Sequence, residues 1–315
     1  MKKFLFLVVI SVIFVQSFAT KIGLVLSGGA ARGLAHIGVI EKLIELGIEP
    51  DIIVGTSMGA IVGAAYASGF NTEQMLALVR IFIEDGALES LVELSGATER
   101  GGIVPHEKID EYFRTFFGNT KIEDLKLTYA CVVYDMVSKK EVVLKSGDLV
   151  DAITASSAFP GVFEPVKIND MVLIDGGIKN NIPIDVAKNL GADLIIVSDV
   201  SQKNFSYLPR WYIESVGTIE ETVRNFLKFI PEREKLPNLL GVLLESIENK
   251  TDDYGLNLLG LPDYAGADVV IRPYPDDKDK YLWDFYEYDL LYFYGVIATE
   301  REKKVLLEVV KNEER

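Results

Sequence analysis

The chain is poor in the residues that most often announce a site. Its 315 residues include one cysteine, Cys131, and two histidines, His36 and His106. A single cysteine excludes an intramolecular disulfide and a Cys-rich zinc centre. With nothing after His106 a histidine, the late histidine of a Ser-Asp-His hydrolase is also missing. Positive charge is scarce: 32 Lys and Arg stand against 47 Asp and Glu, for a net charge of −15. That balance argues against a broad electrostatic partnership with nucleic acid or an anionic membrane surface. There is no internal repeat, no low-complexity tract and no calcium-loop pattern. What is abundant is apolar surface. Hydrophobic residues make up 49% and charged residues 25%, a composition that buries a sizeable core and excludes disorder as the dominant state.

The first nineteen residues read as an address. Lys2 and Lys3 precede the apolar run Phe4 to Val15, and Ser17-Phe18-Ala19 supplies a small-x-small end. This is the pattern of a secretory signal peptide, and it predicts export across the inner membrane, to the periplasm or beyond. The run is about 12 residues, short of the ~20 that span a bilayer. An uncleaved N-terminal anchor is the alternative. Residues 20–315 read as one unit, with a core over 21–200, a mostly helical insertion or cap over 205–262, and a closing strand and helix over 263–315.

Within the core, apolar runs and helical periods alternate. Strands are expected at Ile22–Leu26, Ile52–Val54, Thr128–Val133, Glu141–Leu144, Met171–Ile174, Leu194–Val197 and Ala267–Arg272. Helices are expected at Leu34–Leu46, Met58–Ala67, Asn71–Phe82, His106–Phe117, Val186–Leu190 and Thr299–Lys311. Residues 84–104 lose periodicity and collect glycines, as a mobile loop does. The alternation predicts an α/β fold, a mainly parallel central sheet with helices on both faces.

Three local patterns carry chemistry. Gly55-Thr56-Ser57-Met58-Gly59 fits Gly-x-Ser-x-Gly, and it follows an apolar strand and opens a small-residue helix. That strand–turn–helix setting is what a nucleophile elbow requires. A plain βα turn with a surface serine is the competing reading. A serine nucleophile needs a base. His36 shares a helix face with Ile40 and Leu43 and reads as structural; His106 reads as a helix start. A carboxylate is the substitute, and the candidate is Asp175, at the end of an apolar strand and followed by Gly176-Gly177. Asp-Gly is equally a common turn pair. The third pattern, Ser27-Gly28-Gly29-Ala30-Ala31-Arg32-Gly33, follows the first strand and opens a helix. Its amides suit either an oxyanion hole or a dinucleotide turn. For the dinucleotide, the middle glycine is replaced by Ala30 and the next strand ends without an acid.

Together the three patterns resemble the patatin-like phospholipase family, over residues 21–200. Gly28, Gly29, Ala30, Arg32 and Gly33 resemble its oxyanion motif, Gly55 to Gly59 its nucleophile motif, and Asp175-Gly176-Gly177 the motif of its second catalytic residue. Ala155 to Phe163 and Asn180 to Pro183 also look alike. The resemblance implies a Ser57–Asp175 dyad without histidine; no cofactor and no metal site is expected, with a role for calcium left open. Backbone amides around Gly29, Ala30 and Met58 would hold the oxyanion. The implied reaction is hydrolysis of a phospholipid or other acyl-ester lipid, of phospholipase A, lysophospholipase or esterase type, through an acyl-enzyme. A serine acyltransferase and a silent lipid-binding protein are the alternatives. Peripheral membrane contact, through the cluster Phe205, Tyr207, Leu208, Trp211 and Tyr212, is a further expectation.

Overall fold

The structure is a computed structural model, and it describes residues 20–84, 90–91, 93, 95, 102–201, 264–273 and 285–313. The expected signal peptide, the insertion at 205–262 with its aromatic cluster, and most of the glycine-rich stretch after residue 84 lie outside them.

Four apolar runs form β1 (Ile22–Leu26), β2 (Ile52–Thr56), β4 (Thr128–Asp135) and β9 (Leu194–Ser198), and β10 (Val269–Ile271) joins them. These five strands lie parallel in the order β10-β9-β1-β2-β4. Almost every residue in them is buried, as expected for a sheet covered on both faces. The alternation of side chains sorts them into two layers. Leu24, Leu26, Ile53, Cys131 and Ile196 pack on one face with Ile37, Val62, Met75, Ile153 and Leu306. These belong to α1 (Ala35–Glu45), α2 (Met58–Ala67), α3 (Thr72–Glu84), α5 (Leu149–Ser156) and α7 (Tyr288–Glu313). On the other face Val25, Val54, Val132 and Val197 pack with Ile184 and Val186 of α6 (Ile184–Asn189). The α/β fold with helices on both faces is therefore present, and none of the described helices is long and apolar enough to cross a membrane.

The sheet is mixed at one end. β5 (Lys140–Leu144), β7 (Val166–Ile168) and β8 (Met171–Asp175) are antiparallel to their neighbours. β8, which carries Asp175, thus runs against the direction of the central strands. Register explains why it still reaches the same level. β5 occupies one edge of β4 from Cys131 to Asp135, so β2 and β8 must share the other edge. On that edge Thr56 pairs with Val132 and Asp175 with Val133. The two strands approach from opposite directions and end on adjacent residues of β4.

Three features went unread in the sequence. One is α5, and another is the set of short strands β3 (Gly102–Val104), β6 (Gly161–Phe163) and β7. The third is the first half of α7, which starts at Tyr288 rather than Thr299. α4 (His106–Phe117) matches its expected span.

Candidate active site

Where β2 and β8 meet, the chain makes two turns. Ser57 stands between β2 and α2 with φ 55° and ψ −125°, left-handed backbone that a residue with a Cβ rarely adopts. A side chain in such a turn persists only where its surroundings enforce it. They do so by close approach. A Cβ on Gly59 would lie 2.2 Å from the Leu26 carbonyl oxygen, so only glycine lets the start of α2 sit on the end of β1. Gly55 faces the backbone of Gly59 and Ala60 across the same turn.

Asp175 follows from the other side. It is buried, its amide donates to the Ala158 carbonyl at 3.0 Å, and its Oδ1 accepts from the Gly177 amide at 2.8 Å. Burial raises its carboxyl to about 6, held from rising further by hydrogen bonds from the Ser57 side chain and the Gly177 amide. The two expected residues are thus neighbours where β2 and β8 end on the shared edge of β4. Gly176 turns the chain directly over β4, against the Val132 carbonyl.

The glycine-rich turn closes the third side. A Cβ on Gly28 would lie 3.0 Å from the Ser57 Cβ, and Gly33 packs against the Met58 side chain. Gly29 backs onto Val200. Ala30 has φ 48° and opens a short 3-10 turn, Ala30–Leu34, that runs on into α1. An L-residue there costs about 1–2 kcal/mol. Amides at the start of a helical turn have no acceptor within it, and those of Ala30 and Met58 both occupy such positions. The Gly28 amide is engaged by the Asn181 carbonyl at 3.4 Å. Arg32 is buried, the placement of a structural residue rather than one offered to solvent.

His36 is accounted for by contacts on both of its ring nitrogens. His36 is fully buried, with Nε2 2.9 Å from the Ser27 carbonyl and Nδ1 2.7 Å from the Ser198 hydroxyl. A carbonyl can only accept, so Nε2 carries the proton and Nδ1 accepts from Ser198. Burial lowers its pKa to about 4 against the pull of the Ser27 bond. His36 therefore braces the turn at residue 27 as a neutral ring. His106 opens α4, where Glu164 accepts from its amide at 3.3 Å and lies 3.2 Å from its Nδ1. Ligand atoms of His106, Glu107 and Glu164 come within 4.8 Å of one another; the Glu164 contacts already serve the helix start.

Two supports were not singled out in the sequence. Asn181 Nδ2 donates to the Gly28 carbonyl at 3.2 Å, and its Oδ1 faces both Gly28 and Gly177, so one amide joins the glycine-rich turn to the aspartate turn. Ser156 is fully buried, accepts from the Ser57 amide at 3.0 Å and donates to the Val132 carbonyl at 2.7 Å. Both fall in stretches that looked family-like, which was the available signal.

Residues 24–188 match the sequence model of a family described as Patatin-like phospholipase. An NTE family protein of Mycobacterium tuberculosis is 33% identical over 257 residues, covering 81% of this chain and 40% of that protein. The Lysophospholipase nte1 of Aspergillus fumigatus is 36% identical over 183 residues, 57% of this chain and 12% of its own length. The chain thus spans well under half of these relatives. Among solved structures, VipD of Legionella pneumophila is 14% identical with a TM-score of 0.44, covering 90% of this chain and 67% of VipD.

Proposed function

From the premise that the chain belongs to the patatin-like phospholipase family, we propose that it is a serine acyl hydrolase of lipids that works through a Ser57–Asp175 dyad. One observation carries the reading: a serine on a strained elbow stands beside a buried carboxylate, the two strands that carry them ending on adjacent residues of β4. Ser57 Oγ attacks the ester carbonyl carbon while its proton passes to Asp175. The amides of Gly29, Ala30 and Met58 receive the charge that develops on the carbonyl oxygen, each such donor being worth about 3–4 kcal/mol. Collapse of the tetrahedral intermediate breaks the ester C–O bond, and Asp175 returns the proton to the leaving alcohol. Water then attacks the acyl-enzyme, giving its proton to Asp175, and the fatty acid leaves as Ser57 regains a proton. A carboxyl near 6 suits this work better than one at about 4, because a stronger base takes a hydroxyl proton more readily.

The substrate class follows from the family and from the surroundings. Met58, Val79, Phe82 and Phe285 pack against a buried apolar cluster that includes Ala31, Leu34 and Leu291, beside the elbow. A lysophospholipid is the first substrate to try, since one relative is named a lysophospholipase. Residues 1–19 are taken as the export signal. The test is treatment with a fluorophosphonate probe beside Ser57→Ala. A mass increment on the wild type and none on the variant supports the dyad. An unlabelled wild type in the presence of detergent micelles counts against it. Adding an alcohol acceptor then separates hydrolase from acyltransferase by product.

A further inference from the structure

The end of α5 touches both halves of the site. At Ser156 the hydroxyl bridges the Ser57 amide and the Val132 carbonyl, and two residues on the Ala158 carbonyl accepts the Asp175 amide at 3.0 Å. Val132 is the partner of Thr56 in β4, and Val133 is the partner of Asp175. The hydroxyl therefore sits at the junction where the two strands end on a shared edge. It is fully buried, as is the Cys131 thiol with which it also interacts. Among the described residues, the hydroxyl of its neighbour Ser157 bonds only the carbonyls of Ile153 and Thr154, in the last turn of α5.

We propose that Ser156 is a positioning residue for this reaction: its bridging hydroxyl fixes the backbone of Ser57 relative to Asp175. The inference rests on the Ser57–Asp175 reading above. The physical reason is accounting. The Ser57 amide lies past the last paired residue of β2, and α5 closes over it. Without the hydroxyl, a buried donor and a buried acceptor both lose their partner, and the turn can relax from its left-handed conformation. A shift of about 1 Å in a reacting group is enough to cost about 100-fold in rate. Phosphonate labelling is slowed as well, since the probe needs the same serine poised against the same carboxylate.

The experiment uses the full chain and four proteins: wild type, Ser156→Ala, Ser156→Cys and Ser157→Ala. Rates are measured on a p-nitrophenyl acyl ester and with a fluorophosphonate, per folded molecule and well below each melting temperature. Ser156→Ala should lower kcat about 100-fold with KM within about twofold. Ser156→Cys, which keeps a weaker donor and acceptor, should fall between it and the wild type. Ser157→Ala should match the wild type. Normal kcat in Ser156→Ala, a loss confined to KM, or an equal loss in Ser157→Ala overturns the proposal. If Ser156→Ala does not fold, the decision passes to Ser156→Cys, where an unchanged kcat overturns it. Failure of the wild type to label is a different result: it removes the dyad reading and this inference with it.

Discussion

At the scale of single residues, Asp175 and His36 are buried titratable groups whose effects on stability oppose each other. The Asp175 carboxyl is raised from 3.8 to about 6 by burial. Between those values the native chain holds its proton more tightly than the unfolded chain, so stability falls as pH rises through the window. The fall is on the order of 3 kcal/mol by linkage. His36 is lowered from 6.5 to about 4, so the native chain holds its proton less tightly, and stability falls instead as pH drops from 6.5 to 4. That loss is also on the order of 3 kcal/mol. In the wild type the two slopes offset each other over much of the range. Asp175→Asn should unmask the histidine: its melting temperature should rise from pH 4.5 to 6.5 more steeply than the wild type's. Its excess stability over the wild type should be larger at pH 8 than at pH 4.5. Equal pH dependence in the two proteins would mean that Asp175 is not buried as a titrating group. Activity gives a separate check. Asp175→Asn should lower turnover about 10³-fold, the loss expected of a missing general base. Wild-type kcat/KM should climb about tenfold per pH unit below 6 and level off above it. His36→Gln should melt lower yet still take the phosphonate at Ser57.

At the scale of elements, α1 and α7 cross through two glycines. A Cβ on Gly295 would lie 2.0 Å from the Ala35 carbonyl oxygen, and one on Gly38 would lie 2.1 Å from that of Tyr292. Both contacts are to backbone, which cannot swing aside, so the helices must part. Gly295→Ala should therefore cost about 1–3 kcal/mol, the ordinary price of an overpacked core, read from denaturant unfolding. Because Tyr288 and Leu291 of α7 pack on Ala31 and Leu34 of the glycine-rich turn, kcat should fall as well. The same helix shows what sequence could and could not disclose. Thr299–Lys311 has a polar face and a visible period. Tyr288–Ala298 crowds aromatics around its circumference with a glycine inside, and no period stands out. α5 is hidden for a related reason: of its eight residues only Asp151 is not fully buried, so there is no polar face to read. Its one cue was Asp148, whose side chain caps the helix by accepting from the Asp151 amide. The elbow and Asp175 were legible because they depend on residue type at fixed local spacing. Ser156 and Asn181 were not, because their partners lie 99 and 153 residues away. The direction of β8 was equally hidden, since an apolar run reads the same parallel or antiparallel.

At the scale of the whole molecule, charge sets how the protein would meet a lipid surface. A net charge of −15 repels an anionic surface at long range, and salt shortens that range from about 30 Å at 0.01 M to about 8 Å at 0.15 M. An attraction through apolar side chains is not screened in this way. The two terms can be separated with vesicles that carry the same acyl ester in a zwitterionic or an anionic bilayer. On zwitterionic vesicles, hydrolysis should change little between 0.01 and 0.15 M salt, both concentrations being those at which the screening lengths above apply. On anionic vesicles it should be slower at low salt and rise with added salt towards the zwitterionic rate. A soluble p-nitrophenyl ester, assayed in parallel, should be insensitive to salt and so isolates the surface step from the chemistry. A steep loss of activity with salt on anionic vesicles would reverse the argument. It would require a local basic surface strong enough to overcome the net charge, and the search for the lipid-facing side would then move to the lysines and arginines.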